Sequence, residues 1–157
     1  MPEMTKTDNL SEPPNVEKYI VFSIMDKLYS FQSRYVGEIT LFDTVYPLPL
    51  LPPYILGVVN RYSIPYALFD IEMLLFKTPG KRNKILVVKE SIDRIAFLID
   101  DVAGIVDIQS ENLINIERNI ESKDLAEAVF ASFEWNGSNV FVLDIHAILD
   151  RVTAEVS

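Results

Sequence analysis

The sequence of 157 residues contains no cysteine, one histidine and five glycines. Without cysteine the chain has no disulfide, no thiolate nucleophile and no zinc finger. A lone histidine rules out HExxH and every other metal motif that needs two, and His146 lies in the final apolar segment, as a surface histidine of a helix does. The glycines are not clustered, so no phosphate-binding loop is present. We therefore predict no catalytic residue, no metal and no cofactor.

Long apolar runs are also missing, since none approaches the length that spans a membrane. The N-terminal stretch has no apolar core of signal-peptide length, so a cytoplasmic protein without direct membrane insertion is expected. The net charge of −9 comes from residues 91–157, which hold thirteen acidic and four basic residues. An acidic portion of this size repels phosphate backbones, so no nucleic-acid partner is expected.

The apolar residues form short runs separated by turn formers every 8–12 residues, which predicts an all-β fold of about nine short strands. Asn136-Gly137, between Phe130–Trp135 and Val140–Leu143, is typical of a tight hairpin turn. Ile145–Val152 predicts a closing amphipathic helix, Ile71–Phe76 one or two helical turns, and Ser122–Ala128 either a helix or a loop. Residues 1–17 are polar and predict a disordered tail. The other predicted strands are Tyr19–Met25, Leu28–Gln32, Leu56–Val59, Ile64–Phe69, Lys84–Lys89, Arg94–Ile99 and Val102–Ile108, and Tyr35–Leu41 is a candidate extension of the sheet.

One apolar segment fits no regular structure. No charged residue lies between Asp43 and Arg61, and the segment contains Pro47, Pro49, Pro52 and Pro53, which cannot donate backbone hydrogen bonds. Such a segment is covered by another part of the protein or contacts a partner. Both possibilities stay open from the residues alone.

Five motifs in order resemble the CheW-type family of chemotaxis coupling proteins. Val36-Gly37-Glu38-Ile39 is similar to its V-x-E-I motif, and Pro47-Leu48-Pro49 followed by PYILGVVN at 53–60 is similar to its proline–glycine–asparagine signature. The remaining motifs are Asp70-Ile71, AFLIDDV at 96–102, and FVLDI at 141–145 with Ile148-Leu149.

The resemblance implies two intertwined five-stranded SH3-like barrels sharing a hydrophobic core, with short helices including one at the C-terminus. It implies a domain over 18–152, between tails at 1–17 and 153–157. It also implies a non-catalytic adaptor that joins the regulatory domain of a histidine kinase to the cytoplasmic tips of methyl-accepting chemoreceptors.

The same resemblance predicts a partner-binding site, supported by the chemistry of its residues. Glu38, among apolar neighbours, is expected to pair with a cation or to face a partner. Gly57 permits close approach of backbone, although it also fits a β-bulge. Val36, Ile39 and Val59 fit the core equally well. The predicted site consists of Val36, Glu38, Ile39, Gly57, Val59, Asn60 and Tyr62.

The chain departs from the family after Asn60. The family reads N-L-R-G, whereas this chain reads Asn60-Arg61-Tyr62-Ser63, so Arg61 comes one residue early. One residue moves a strand side chain to the opposite face, so we expect Arg61 to replace the family arginine near Glu38 only if a bulge realigns it. We predict an atypical member with a partly aromatic contact face and altered partner preference.

Two alternatives stay open at this stage. One is a β-barrel small-ligand sensor or enzyme of unknown specificity, with the apolar segment lining a pocket and a polar cleft near Asp100. The other is the coupling-like half of a larger signalling protein, against which the short tail after Val152 argues.

Overall fold

The computed structural model describes residues 15–42, 44–71, 84–116 and 128–156, with the backbone alone at 151–156. These residues form eleven strands, one α-helix and two 3-10 turns, at Ser33–Tyr35 and Ser110–Asn112. The strands are β1 (Val16–Ile24), β2 (Lys27–Gln32), β3 (Val36–Leu41), β4 (Ile55–Arg61), β5 (Ile64–Asp70), β6 (Lys84–Val88), β7 (Ile95–Ile99), β8 (Asp101–Gln109), β9 (Ile114–Asn115), β10 (Val129–Trp135) and β11 (Ser138–Leu143). The helix α1 is Ile145–Val156.

The strands form two interlocked sheets. The first has the order β8-β1-β2-β11-β10-β9 and the second the order β3-β6-β7-β5-β4. The chain leaves the first sheet after β2, builds the whole second sheet with β3 to β7, and returns to the first sheet with β8. Each sheet joins two hairpins through one parallel pair, β2–β11 in the first and β5–β7 in the second. The predicted intertwined architecture is confirmed, with the two-residue β9 as a sixth strand of the first sheet.

Each sheet curls into a barrel. The buried residues form three clusters, one inside each barrel and one between the two sheets. Strand β7 illustrates the arrangement, because all five of its residues are buried. Ile95, Phe97 and Ile99 contribute to the cluster between the sheets, whereas Ala96 and Leu98 lie inside the second barrel. A strand buried on both faces has no polar alternation, which explains the continuous apolar sequence IAFLI. We call the cluster between the sheets the shared core.

Aromatic rings connect the two sheets through the shared core. Phe31 of the first sheet lies 5.3 Å from Phe97 of the second, measured between ring centroids. Phe22 lies 5.6 Å from Phe31, and Phe69 lies 5.7 Å from Phe97. All four side chains are buried. Aromatic pairs at this spacing contribute about 0.5–1.5 kcal/mol beyond burial of their area, so the rings hold the two barrels together.

The predicted hairpins and C-terminal helix are present. Asn136 and Gly137 have φ angles of 53° and 78°, as the predicted turn requires. Helix α1 begins at the predicted Ile145 and continues four residues beyond the predicted end, to Val156. Its first turn is capped by the carboxylate of Asp144, which accepts the N–H groups of His146 (3.0 Å) and Ala147 (3.2 Å). Strand β9 was not predicted, since two exposed residues give no apolar pattern.

Some predictions concern residues outside the described ranges. They include most of the possible helix Ser122–Ala128, most of the helical turns Ile71–Phe76, and the N-terminal tail up to residue 14. Strand β1 begins at Val16, two residues before the predicted domain start at residue 18, and the disorder of the preceding tail stays a prediction.

We predict that Phe97→Ala destabilises both barrels together. Removing a buried phenylalanine costs about 3–5 kcal/mol, and Phe97 lies between the two sheets. Trp135 is the single tryptophan, and its ring lies against Gly104 within the first barrel, so its fluorescence monitors that barrel. Urea unfolding followed by Trp135 fluorescence and by far-UV circular dichroism should give the same lowered midpoint. A Trp135 midpoint that stays at the wild-type value would contradict a shared core.

Candidate protein-binding surface

An ion pair connects the two outermost strands of the second sheet, β3 and β4. The Arg61 guanidinium, at the end of β4, donates a hydrogen bond to the Glu38 carboxylate of β3. The Arg61 side chain is 18 % exposed and that of Glu38 is 38 % exposed, so the pair lies at the boundary between interior and solvent. The hydrogen bond to Glu38 raises the pKa of Arg61 above its ordinary value, and the guanidinium stays charged at every physiological pH. We call this contact the seam pair.

The seam pair meets the condition that the sequence sets, namely that Arg61 reaches Glu38 only if a bulge changes the facing of a strand. Both strands carry a register irregularity, in β3 between Val36 and Glu38 and in β4 between Ile55 and Gly57. The bulge in β3 breaks the strict alternation of faces, so that Val36 and Ile39 both pack on the shared core, whereas β4 pairs regularly with β5 from Gly57 to Arg61. Arg61 therefore pairs with Glu38 although it comes one residue early in the sequence. Its buried Nε has no hydrogen-bond acceptor among the residues that the structure describes.

Gly57 permits the proline-rich segment to dock on the edge of β4. Its φ angle is +145°, and a Cβ at this position would clash with the carbonyl oxygen of Tyr46 and lie 3.0 Å from the Cα of Pro47. Tyr46 donates its N–H to the Val58 carbonyl (2.8 Å) and accepts the N–H of Val58 (2.9 Å). One short bridge thus covers an edge that otherwise exposes backbone hydrogen-bonding groups.

The segment that follows Tyr46 lies on the surface. Leu48 is 52 % exposed and Leu50 is fully exposed, whereas Tyr54 is buried against the shared core and its carbonyl accepts the N–H of Asp70 (2.8 Å). Beside the segment is a shallow cleft that includes the seam arginine. It is lined by Leu41, Phe42, Thr44, Tyr46, Val59, Asn60 and Arg61.

The hairpin between β4 and β5 projects an aromatic ring beside the seam pair. Tyr62 and Ser63 have φ angles of 52° and 67°, as in a type I′ turn, and Tyr62 is 82 % exposed. The Arg61 guanidinium carbon lies 4.9 Å from the centre of the Tyr62 ring, within cation–π range. Arg61 therefore interacts with Glu38 and Tyr62 at once and holds the exposed ring in place.

The seven predicted site residues divide into an exposed group and a buried group. Asn60 and Tyr62 are exposed, Glu38 is partly exposed, and Ile39 is partly buried against the shared core. Val36 contributes to the shared core and Val59 to the interior of the second barrel, and Gly57 lies beneath Tyr46. The exposed group and Arg61 lie around one seam, and the buried residues support it from below.

Sequence reasoning did not assign four exposed apolar side chains of this region to the site. They are Leu41, Tyr46, Leu48 and Leu50. The absence of charge between Asp43 and Arg61 marked the segment, but exposure of particular side chains has no signal in the sequence. We call the region formed by these four residues with Asn60, Arg61 and Tyr62 the seam surface.

The carboxylates of Asp100 and Asp101 both bind other groups of the protein. The Asp100 carboxylate accepts the N–H of Met25 (2.8 Å), and Asp101 pairs with Lys84 (2.5 Å). The hydrogen bond from Lys84 lowers the pKa of Asp101.

Within the described ranges, no three His, Cys, Asp or Glu side chains form a group suited to a metal ion. In the same ranges, no helix has both the length and the apolar character needed to cross a membrane.

Comparison with known proteins gives a consistent result. The family model described as CheW-like domain matches residues 18–153. The chemotaxis protein CheW of Bacillus subtilis (strain 168) is 19 % identical over 143 residues, which cover 88 % of this chain and 90 % of that protein. The crystal structure of the scaffolding protein TtCheW from Thermoanaerobacter tengcongensis superimposes with a TM-score of 0.71 at 15 % identity, covering 81 % of this chain and 88 % of that one.

We predict that the seam pair stabilises the fold measurably. In a double-mutant cycle of Glu38→Ala and Arg61→Ala, measured by urea unfolding, we expect a coupling of about 1 kcal/mol. The matched control is the pair of Lys18 and Asp107, whose side chains are 54 % and 59 % exposed. Solvent screening should reduce the coupling of that pair to below about 0.5 kcal/mol. Equal couplings for the two pairs would contradict the partly buried geometry.

A second prediction separates close approach from backbone strain at Gly57. Gly57 and Gly137 both have positive φ, but a Cβ at Gly137 would meet nothing within 4 Å. We expect Gly137→Ala to lower the free energy of unfolding by about 1 kcal/mol. Gly57→Ala should lower it by about 2–3 kcal/mol, because Tyr46 must also move away from β4. Equal losses would show that the Tyr46 bridge does not depend on Gly57.

Proposed function

Since the chain belongs to the CheW-like domain family, we propose that it couples chemoreceptors to a chemotaxis histidine kinase through its seam surface. The chain is a chemotaxis coupling adaptor, and the family match over residues 18–153 is the observation that carries this function. Its partners in the proposal are the regulatory domain of the kinase and the cytoplasmic tip of methyl-accepting chemoreceptors. With these partners, the proposal also includes a cytoplasmic location.

The chemistry of the seam surface supports a protein partner. Leu41, Tyr46 and Leu48 are each about half exposed, and Tyr62 is 82 % exposed. The charges of Glu38 and Arg61 neutralise each other, so they add no net charge to this surface. Tyrosine and arginine are among the residue types that contribute most energy to protein–protein interfaces, and the exposed leucines add apolar area around them.

The rigidity of the region also favours binding. Pro47, Pro49, Pro52 and Pro53 restrict the backbone before the partner arrives, and the Tyr46 bridge attaches the segment to β4. A surface ordered in advance loses less conformational entropy on association. The buried residues Val36, Val59 and Gly57 act in this proposal by shaping the surface, while Asn60 and Tyr62 contact the partner and Glu38 and Ile39 border the surface.

The interlocked barrels suit an adaptor that performs no catalysis. An adaptor holds two partners at a fixed separation, which requires that its halves do not move independently. The ring contact of Phe31 with Phe97 couples the halves.

The sensor or enzyme alternative has no observation in its favour, since Asp100 and Asp101 are engaged in structural bonds.

The test is direct binding of purified proteins. We expect the chain to bind the kinase regulatory domain and a receptor cytoplasmic fragment, both from its own source, in isothermal titration calorimetry. Tyr62→Ala should weaken binding to at least one of them about tenfold, because the substitution removes the aromatic ring that the partner would bury. Binding to neither fragment would contradict the proposed function.

The control for that test is Ile105→Ala. Ile105 is 63 % exposed and lies on β8 of the first sheet, outside the seam surface. We expect it to leave the affinity of the Tyr62-sensitive partner unchanged. If Tyr62→Ala and Glu38→Ala both bind as the wild type does, the site assignment is wrong although the adaptor function stands.

A further inference from the structure

Leu50 occupies a backbone conformation that leucine normally avoids. It follows Pro49 in the turn at 49–50, and its φ angle is +61°. Proline followed by a residue with positive φ is the pattern of a type II turn, whose third position normally holds glycine or asparagine. A side chain with a Cβ is disfavoured there because the Cβ approaches the following carbonyl oxygen.

Within the part of the chain that the structure describes, the Leu50 side chain makes no contact that offsets this strain. It is 101 % exposed, so it is as accessible as in an extended peptide. A leucine that leaves water gains about 1.5–3 kcal/mol, and Leu50 obtains none of this from the described residues. Residues held in disfavoured backbone conformations cluster at active sites and ligand-binding sites, where the conformation serves the function. The strain and the exposure together indicate a side chain that is buried by another molecule.

The composition of the segment that carries Leu50 indicates the chemistry of that molecule. No charged residue lies between Asp43 and Arg61, and Leu48 and Tyr46 add further exposed apolar surface on the same segment. The complementary surface is therefore uncharged and apolar. A lipid surface does not fit, because stable membrane association of so few apolar side chains requires adjacent lysine or arginine residues.

We propose that Leu50 is an anchor residue that inserts into an uncharged pocket, the size of one leucine side chain, on a protein partner of this adaptor. The proposal rests on the proposed function and adds the residue and the chemistry that the partner recognises. Pro49 presets the turn, so the side chain is held in its projecting position before binding. The turn sacrifices stability of the free protein for a contact made only in the complex.

The test uses two substitutions that accept positive φ, Leu50→Gly and Leu50→Asn. Both should raise the melting temperature by about 2–4 °C, because they relieve the strain. Both should also weaken binding to the kinase regulatory domain or to the receptor fragment at least about tenfold. Since the lost contact is apolar, the ratio of wild-type to variant affinity should be the same at low and high salt. Leu50→Met keeps an apolar side chain and should retain most of the affinity.

Met25 provides a matched control. It also has a positive φ, 53°, and it is 48 % exposed in the turn between β1 and β2. Met25→Gly should raise the melting temperature as Leu50→Gly does and leave the Leu50-sensitive affinity unchanged. Equal loss of affinity from both variants would overturn the assignment of Leu50.

The remaining outcomes distinguish the proposals. If the wild type binds a fragment and Leu50→Gly binds it equally well, the anchor is wrong and the adaptor function stands. If the wild type binds neither fragment, both proposals fail. If Leu50→Gly converts a dimer into a monomer in sedimentation, the pocket belongs to a second copy of this chain and the proposal is overturned. Loss of binding to anionic phospholipid vesicles in Leu50→Gly would overturn it in favour of a membrane.

Discussion

The shared core between the two sheets is the constraint on which the other features depend. Phe31 and Phe97 meet there with both side chains fully buried, and strand β7 is buried on both of its faces. A strand enclosed in this way cannot shift its register without moving apolar side chains into solvent. The outer strands of the second sheet, β3 and β4, are therefore held in defined positions, and the proposed contact surface forms where these two strands end the sheet.

At this seam, a β-bulge brings together side chains that strict strand alternation would keep apart. A bulge in each strand, at Val36–Glu38 and at Ile55–Gly57, interrupts the regular pairing. Glu38 and Arg61 meet across the seam, and Gly57 leaves room for Tyr46 to bind the edge of β4. Arg61 in turn holds the exposed ring of Tyr62. The result is a surface that is apolar, nearly neutral and rigid, in a chain of net charge −9.

Much of the fold was predictable because its signals are local. The apolar runs gave ten of the eleven described strands to within a few residues, and Asn136-Gly137 located a hairpin. Strand β9 was missed because Ile114 and Asn115 pair with β10 only through tertiary contacts. The intertwined two-barrel architecture followed from the family resemblance, since pairing between distant strands such as β2 and β11 has no local signal.

The candidate site was predictable in composition but not in geometry. The motifs identified Glu38 and Gly57, and the departure from the family pattern identified Tyr62. Whether Arg61 reaches Glu38 depended on a bulge, which changes the facing of a side chain without changing composition. Likewise, nothing in the residue sequence distinguishes the buried Val59 from the exposed Leu50, since both lie in one uncharged apolar segment.

Amide hydrogen exchange tests most directly whether the seam surface is the contact site of the adaptor. Exchange is measured by mass spectrometry on the free chain and on the chain saturated with the kinase regulatory domain, and then with the receptor fragment. We expect added protection in residues 44–62 with at least one partner, while peptides from β9 and β10 keep their exchange rates with that partner. Protection confined to the first sheet with both partners, and unchanged exchange in 44–62, would contradict the assignment of the seam surface.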